Sequence, residues 1–366
     1  MKNLLDGLRV AGLLICLMLS FQVAAAQQAT QVPSNPAARQ LTADDASRLT
    51  MKGRTLSVEE AARLEEKLAG DPQDLETRFT LIGYYSTRHD ESFRLKKREQ
   101  SLWVIQNIPD SKLLRNNVVF VRLNQHEEGF AEAKKLWLKQ LDAYKGNLVV
   151  LSNAADFFLL PDKAFAEKLL KQGAAADPND VQWPRRLGHL YLLQLMNAAG
   201  EERRGLAARA SEQFEQAYKL ADDSGKRFLL IELAKSAFEA GDVERAHTWA
   251  VALLSQGATD KKDWNYGNAI HHGHIILGRI ALLSGNLGEA RQQLIEAGET
   301  PGSPQLNSFG PNMTLAKELL EKGERKSVLE YFQLCASFWT NRTELDQWSA
   351  TVKGGGIPNF GANLAY

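Results

Sequence analysis

Cysteine is almost missing from this chain of 366 residues: there are two, Cys16 and Cys335. Cys16 falls in a leader-like segment, so the processed chain keeps one thiol. A lone thiol excludes an internal disulfide framework and leaves apolar packing as the source of stability. Cys335 itself sits at a small-residue packing position, which reads as a buried hydrophobe rather than a nucleophile. Net charge is also missing, with 44 Lys and Arg balancing 44 Asp and Glu. That balance, with no block of like charges, gives no footprint for nucleic acid. A run of apolar residues long enough to span a bilayer comfortably is missing too. So are a Gly-x-Ser-x-Gly elbow, a phosphate-binding glycine loop and a dinucleotide fingerprint, so no catalytic residue is assigned and no cofactor is expected.

What is present at the N-terminus is a processing pattern. Lys2 and Arg9 precede the apolar stretch from Val10 to Val23, and Ala24-Ala25-Ala26 supplies small residues for cleavage. Residues 1–26 are expected to be a signal peptide, and the protein to be periplasmic or secreted from a bacterium. Ile15 stands before Cys16 where a lipidation site wants a small residue. The Gln-, Ala-, Ser- and Pro-containing stretch that follows is read as a flexible linker over 27–55. Ser57 and Glu60 then have the spacing of a capping box.

From there to about 340 the chain predicts helix after helix, punctuated by Asp71-Pro72, Asp177-Pro178, Gly241-Asp242 and Gly285-Asn286. Asn117 to Val121 is the nearest thing to a strand, and it fits a buried helix equally well. A spacing pattern recurs through the helices: a bulky–small pair, an apolar residue three on, and later a small–bulky–small triad. It reads Leu187-Gly188, Tyr191, Ala210, Phe214, Ala217, and again Leu233-Ala234, Ala237, Ala246, Ala250, Leu253. It returns as Leu277-Gly278, Ala281, Ala290, Leu294, Ala297, and as Leu315-Ala316, Leu319, Val328, Phe332, Cys335. Phe120, Ala133 and Trp137 belong to a more degenerate unit. Self-similarity of this kind marks stacked helical hairpins, none of which buries its apolar face alone.

On these residues the chain resembles the tetratricopeptide repeat family over roughly residues 56 to 339. The family signature begins Trp-x2-Leu-Gly-x2-Tyr, and here Trp183 stands one residue early before Leu187-Gly188-x2-Tyr191. Unit starts are 34 residues apart from Asn153 to Leu187 but 46 from Leu187 to Leu233, with an insertion around Ala198–Gly205. The resemblance implies an all-α helical-hairpin solenoid of about six or seven hairpins, coiled as a right-handed superhelix over 56–340. It also implies a concave groove lined by the first helix of each hairpin. The remaining segment, 341–366, is read as a Gly-rich tail that packs back on the array through Ile357, Phe360, Leu364 and Tyr366.

Two constellations are candidates for function. Aligned on the bulky–small pair, successive units place Ala155, His189, Lys235, Arg279 and Lys317 in one column. In repeats of this family that column tends to face the groove. His189, Lys235, Arg279 and Lys317, with His272 on the same wall, are therefore candidates to hold an acidic or extended peptide segment. The second constellation is Asn268-Ala269-Ile270-His271-His272-Gly273-His274. His271 and His274 share a helix face, and with Trp264, Tyr266, Asn268, Asn307 and Phe309 they are candidates for a polar–aromatic pocket for a small molecule or a hydrolytic reaction. Imidazoles so spaced can bind zinc, but no further ligand accompanies them and no metal is expected. The expected function is an exported scaffold that binds a protein or peptide, with no membrane span in the mature chain.

Overall fold

The computed structural model describes residues 41–115, 119, 127–257 and 260–364. The expected signal peptide, residues 27–40 of the expected linker, Phe120 and Tyr366 lie outside the described residues, as does the strand-like segment at 117–121 apart from Val119. The fold class is all-α: seventeen α-helices and no strand occur among the described residues. They form two compact units, one up to Ala176 and the other from Asp177 onward.

The first unit contains α1 (Ala43–Arg54), α2 (Val58–Gly70), α3 (Leu75–Ser86), α4 (Glu91–Asn107), α5 (Glu127–Ala143), α6 (Leu148–Phe158) and α7 (Lys163–Ala176). Helix α1 corrects the expected linker, which ran to residue 55. Thr42 and Asp45 close a capping box at its start, and Ala46, Leu49, Thr50 and Gly53 are buried along one face. That face is helical in period but poor in large apolar residues. It packs on α3 by backbone contact: a Cβ added at Gly53 would meet Thr80 and one at Gly83 would meet Thr50. Glycine here permits close approach of two helices. Ser57 and Glu60 close the next capping box as expected, through Glu60 N–H to Ser57 Oγ at 3.2 Å and Ser57 N–H to the Glu60 carboxylate at 2.7 Å.

The second unit contains α8 (Gln182–Leu195), α9 (Gly200–Leu220), α10 (Asp223–Ala240), α11 (Val243–Ala252), α12 (Tyr266–Leu283), α13 (Leu287–Gly298), α14 (Pro304–Phe309), α15 (Thr314–Glu321), α16 (Arg325–Cys335) and α17 (Arg342–Lys353). The recurring small residues lie where helices meet. Gly188 faces the Phe214 ring, and Ala234, Ala237, Ala246 and Ala250 share one buried cluster with Ile276. Ala290, Leu294 and Ala297 join Leu315, Phe332 and Cys335 in another, where burial also raises the Cys335 thiol pKa. Gly241 and Gly285 end α10 and follow α12 at φ of 83° and 81°, the left-handed region that glycine occupies at low cost. The inserted residues near 198–205 lengthen α9 to 21 residues.

Two boundaries differ from expectation. The prolines and glycines between Thr300 and Pro311 exclude helix interior at their own positions and lead to the expectation of an irregular loop at Asn307–Phe309. Yet the segment contains the short helix α14, because Pro304 sits in the first turn, where its missing N–H costs nothing, and Ser303 caps it. The expected tail begins with a helix, α17, and the residues after Lys353 are irregular until a 3-10 turn at Gly361–Leu364. Their glycines lead into a firm anchorage. Phe360 is buried against Phe332 and Trp348, and Leu364 packs partly on the same cluster, whereas Ile357 is exposed. Asn363 donates from Nδ2 to the carbonyls of Phe309 and Pro311, and its own carbonyl accepts from Met313 N–H at 2.9 Å.

Candidate functional site

Helix α10 organises the candidate site. Asp222 caps it by accepting from Gly225 N–H at 2.7 Å, and Gly241 ends it. Between those limits Phe228, Glu232, Lys235 and Glu239 follow one another four, three and four residues apart, which places them along one face. A cavity of about 360 Å³ opens beside the C-terminal half of this face. Lys235 and Glu239 line it from α10, His272, Ile276 and Arg279 from α12, Leu192 and Leu195 from α8, and Asn312 and Leu364 from the segments that the tail ties together.

Most of the charge in this cavity is already spent. Arg279 is held between two carboxylates, Glu318 at 2.8 Å and Glu239 at 3.0 Å, with its guanidinium 4.1 Å from the centre of the Phe238 ring. Burial works against its charge, yet the two carboxylates raise its pKa further. Arg203 grips the other side of Glu239 at 2.6 Å. Burial alone would raise the Glu239 pKa, and Arg279 and Arg203 together bring it below the usual range. Two guanidinium groups thus cancel two carboxylates. Lys235 remains, with no hydrogen bond or ion pair to any described residue. Burial lowers its pKa against the opposing pull of Glu232 and Glu239. His272 is its neighbour on the wall, buried and with neither ring nitrogen hydrogen-bonded to a described residue. Burial, then the positive charge of Lys235, drives the His272 pKa well down, so it is a neutral imidazole that can donate or accept.

The basic column is therefore not one stripe. Lys235 and Arg279 share the cavity with His272. His189 lies on the exposed rim of a separate cavity, its ring edge-on to Phe214 at 5.1 Å. Lys317 pairs with Glu321 one turn along its own helix and lines neither cavity.

The second constellation is taken apart more thoroughly. His271 is fully buried, and both ring nitrogens are used: Nδ1 donates to the Ala297 carbonyl at 3.0 Å and Nε2 accepts from Asn312 N–H at 2.9 Å. Those partners require the neutral ring, and burial pushes its pKa down to about 4. Asn268 donates to Asn265 at 2.8 Å and to Gln305 at 3.1 Å, and accepts from Ser303 Oγ at 2.7 Å. His274 turns to Gln293 at 2.8 Å and Glu296 at 3.0 Å. Tyr266 is half-buried at the start of α12, while Asn307 and Phe309 are exposed. Trp264 joins the rim of the cavity that holds His189. Thus the expected pocket is not formed as a unit, because the polar groups that lie together in sequence face core, surface and two different cavities. Among the described residues no three His, Cys, Asp or Glu side chains converge on a point where a metal ion could sit.

No protein-family model matches the chain, and no curated protein does. Among solved structures, the human IFIT1 dimer with PPP-AAAA is similar over 81% of this chain and 67% of that chain, at 18% identity and a TM-score of 0.44. The helical-repeat architecture therefore stands on the helices and small-residue contacts of this chain itself.

Sequence reasoning missed Glu232, Glu239, Glu318 and Phe228. The first two could have been found by stepping three and four residues along the helix from Lys235. Glu318 is 39 residues from Arg279, and nothing local in the sequence pairs them.

Proposed function

We propose that this protein is a helical-repeat scaffold whose second unit binds an acidic, apolar-flanked segment of another polypeptide, with the carboxylate of that segment received by Lys235. The observation that carries this reading is the ammonium of Lys235, which makes no hydrogen bond or ion pair to a described residue in a cavity whose other cations are neutralised. Glu232 and Glu239 act on this ammonium without a direct contact, and an incoming carboxylate would supply the charge-assisted hydrogen bond it lacks. Leu192, Leu195, Ile275 and Ile276 supply an apolar wall for the residues flanking the carboxylate. His272 provides a neutral hydrogen-bonding group beside it. Arg279 and Arg203, fixed by their carboxylates, keep the wall rigid and so reduce the entropy lost on binding. The leader-like residues 1–26 support export as the setting in which this happens; mass analysis of the N-terminus of the fractionated protein tests that part.

The binding reading is tested with paired peptides, one carrying Leu-Glu-Leu and the other Leu-Gln-Leu, titrated by fluorescence anisotropy. The acidic peptide is expected to bind at least tenfold tighter, which corresponds to about 1.4 kcal/mol. The preference is expected to vanish in Lys235→Met while the melting temperature holds. Equal binding of both peptides by the unmodified protein, or an undiminished preference in Lys235→Met, would overturn it.

A further inference from the structure

The N-terminal half of the same α10 face borders a second cavity, of about 680 Å³, with the opposite chemistry. Phe228 and Trp264 stand at it as a near-parallel pair, ring centres 5.6 Å apart and planes 22° from each other. They stay 38% and 56% exposed, an unusual outlay of large aromatic surface to water. One helical turn beyond Phe228 lies Glu232, which lines the same cavity. Its Oε2 is buried and accepts no hydrogen bond. Burial raises its pKa despite the nearby positive charges of Lys235 and Arg185. Arg185 also lines the cavity, but its guanidinium donates to Gln182 at 2.7 Å and makes no hydrogen bond with Glu232.

An anion entering here would meet a carboxylate, and a purely apolar group would leave that carboxylate buried and unsatisfied. A cation with an apolar or planar body satisfies both features at once, since aromatic faces attract it and the carboxylate neutralises it. We propose that this cavity binds an organic cation, a guanidinium or alkylammonium group, whose charged head meets Glu232 and whose body lies on the exposed faces of Phe228 and Trp264. Such a group reaches the cavity either as a side chain of a polypeptide or as a free small molecule. The site stands independently of the Lys235 cavity, although Glu232 and Lys235, three residues apart on one helix, would let a segment carrying both charges engage the two together.

The test is calorimetric titration of the full chain with acetyl-arginine amide and, separately, with a Leu-Arg-Leu peptide. Each is matched by its citrulline counterpart, which keeps the shape and removes the charge. Saturable binding of an arginine probe is expected, at least tenfold tighter than its citrulline match. Glu232→Gln and Trp264→Ala are each expected to weaken it at least fivefold with helicity and melting temperature preserved. Saturation by the peptide alone assigns a polypeptide side chain; saturation by the free compound as well assigns a small organic cation. No saturation by either probe, equal binding of citrulline, or full affinity in Glu232→Gln would each overturn the proposal. Failure of the Lys235 reading would show in the acidic peptides and leave these titrations untouched.

Discussion

His271 and Lys235 stand on neighbouring helices of one unit; the imidazole is fully buried, and the half-buried lysine lines a cavity. His271 has each ring nitrogen hydrogen-bonded, to the Ala297 carbonyl and the Asn312 N–H. Lys235 makes no hydrogen bond to a described residue and lines a cavity. The first arrangement fixes structure: it ties the start of α12 to the end of α13 and to the turn before α15. The second leaves an interaction to be completed from outside. A cluster of chemically capable residues is therefore a poor guide to function when its members already satisfy one another. A solitary unsatisfied group in a cavity is a better one.

The contrast can be broken by removing each group. His271→Ala is expected to destabilise the protein by about 3 to 4 kcal/mol, since it opens a cavity and strands the Asn312 N–H. Urea denaturation monitored by circular dichroism measures this, and a loss below about 1 kcal/mol would contradict a structural role. Acid sharpens the same side of the comparison. The His271 pKa falls from 6.5 to about 4 on folding, so the unfolded chain binds the additional proton between those values. Stability from this group is present above pH 6.5 and is lost as the pH drops towards 4, by about 3 kcal/mol in all. Denaturation midpoints across that range, compared with those of His271→Ala, isolate the contribution; parallel pH profiles would refute it. Lys235→Met should have the smallest effect on stability, within about 1 kcal/mol, because the ammonium makes no hydrogen bond or ion pair to a described residue and feels Glu232 and Glu239 only through space. A large loss in the same denaturation experiment would place Lys235 among the structural groups instead.

Much of the architecture was legible in the sequence. The positions of Gly188, Phe214, Ala234, Ala250 and Leu294 carry the helix contacts, and their spacing is set by helical geometry, which local sequence records. Helix α1 was hidden because its buried face is Ala46, Leu49, Thr50 and Gly53, where close backbone approach replaces large side chains. Hydrophobic period cannot register a contact made by the absence of a side chain. The candidate site was half legible. Alignment of the repeats brought out Lys235 and Arg279, and the same wall took in His272. Their different fates depend on Glu239 and Glu318, and Glu318 belongs to a helix far along the chain. Sequence column tells which way a side chain points, not which charge from another repeat meets it.

The anchorage of residues 360–364 has a consequence for handling and turnover. Asn363 clasps the carbonyls of Phe309 and Pro311, Leu364 completes a wall of the Lys235 cavity, and exposed glycines 354–356 precede both. A protease that cuts at those glycines would unmake part of a binding surface without severing a single helix, and a bulky fusion placed after this anchorage would crowd the same entrance.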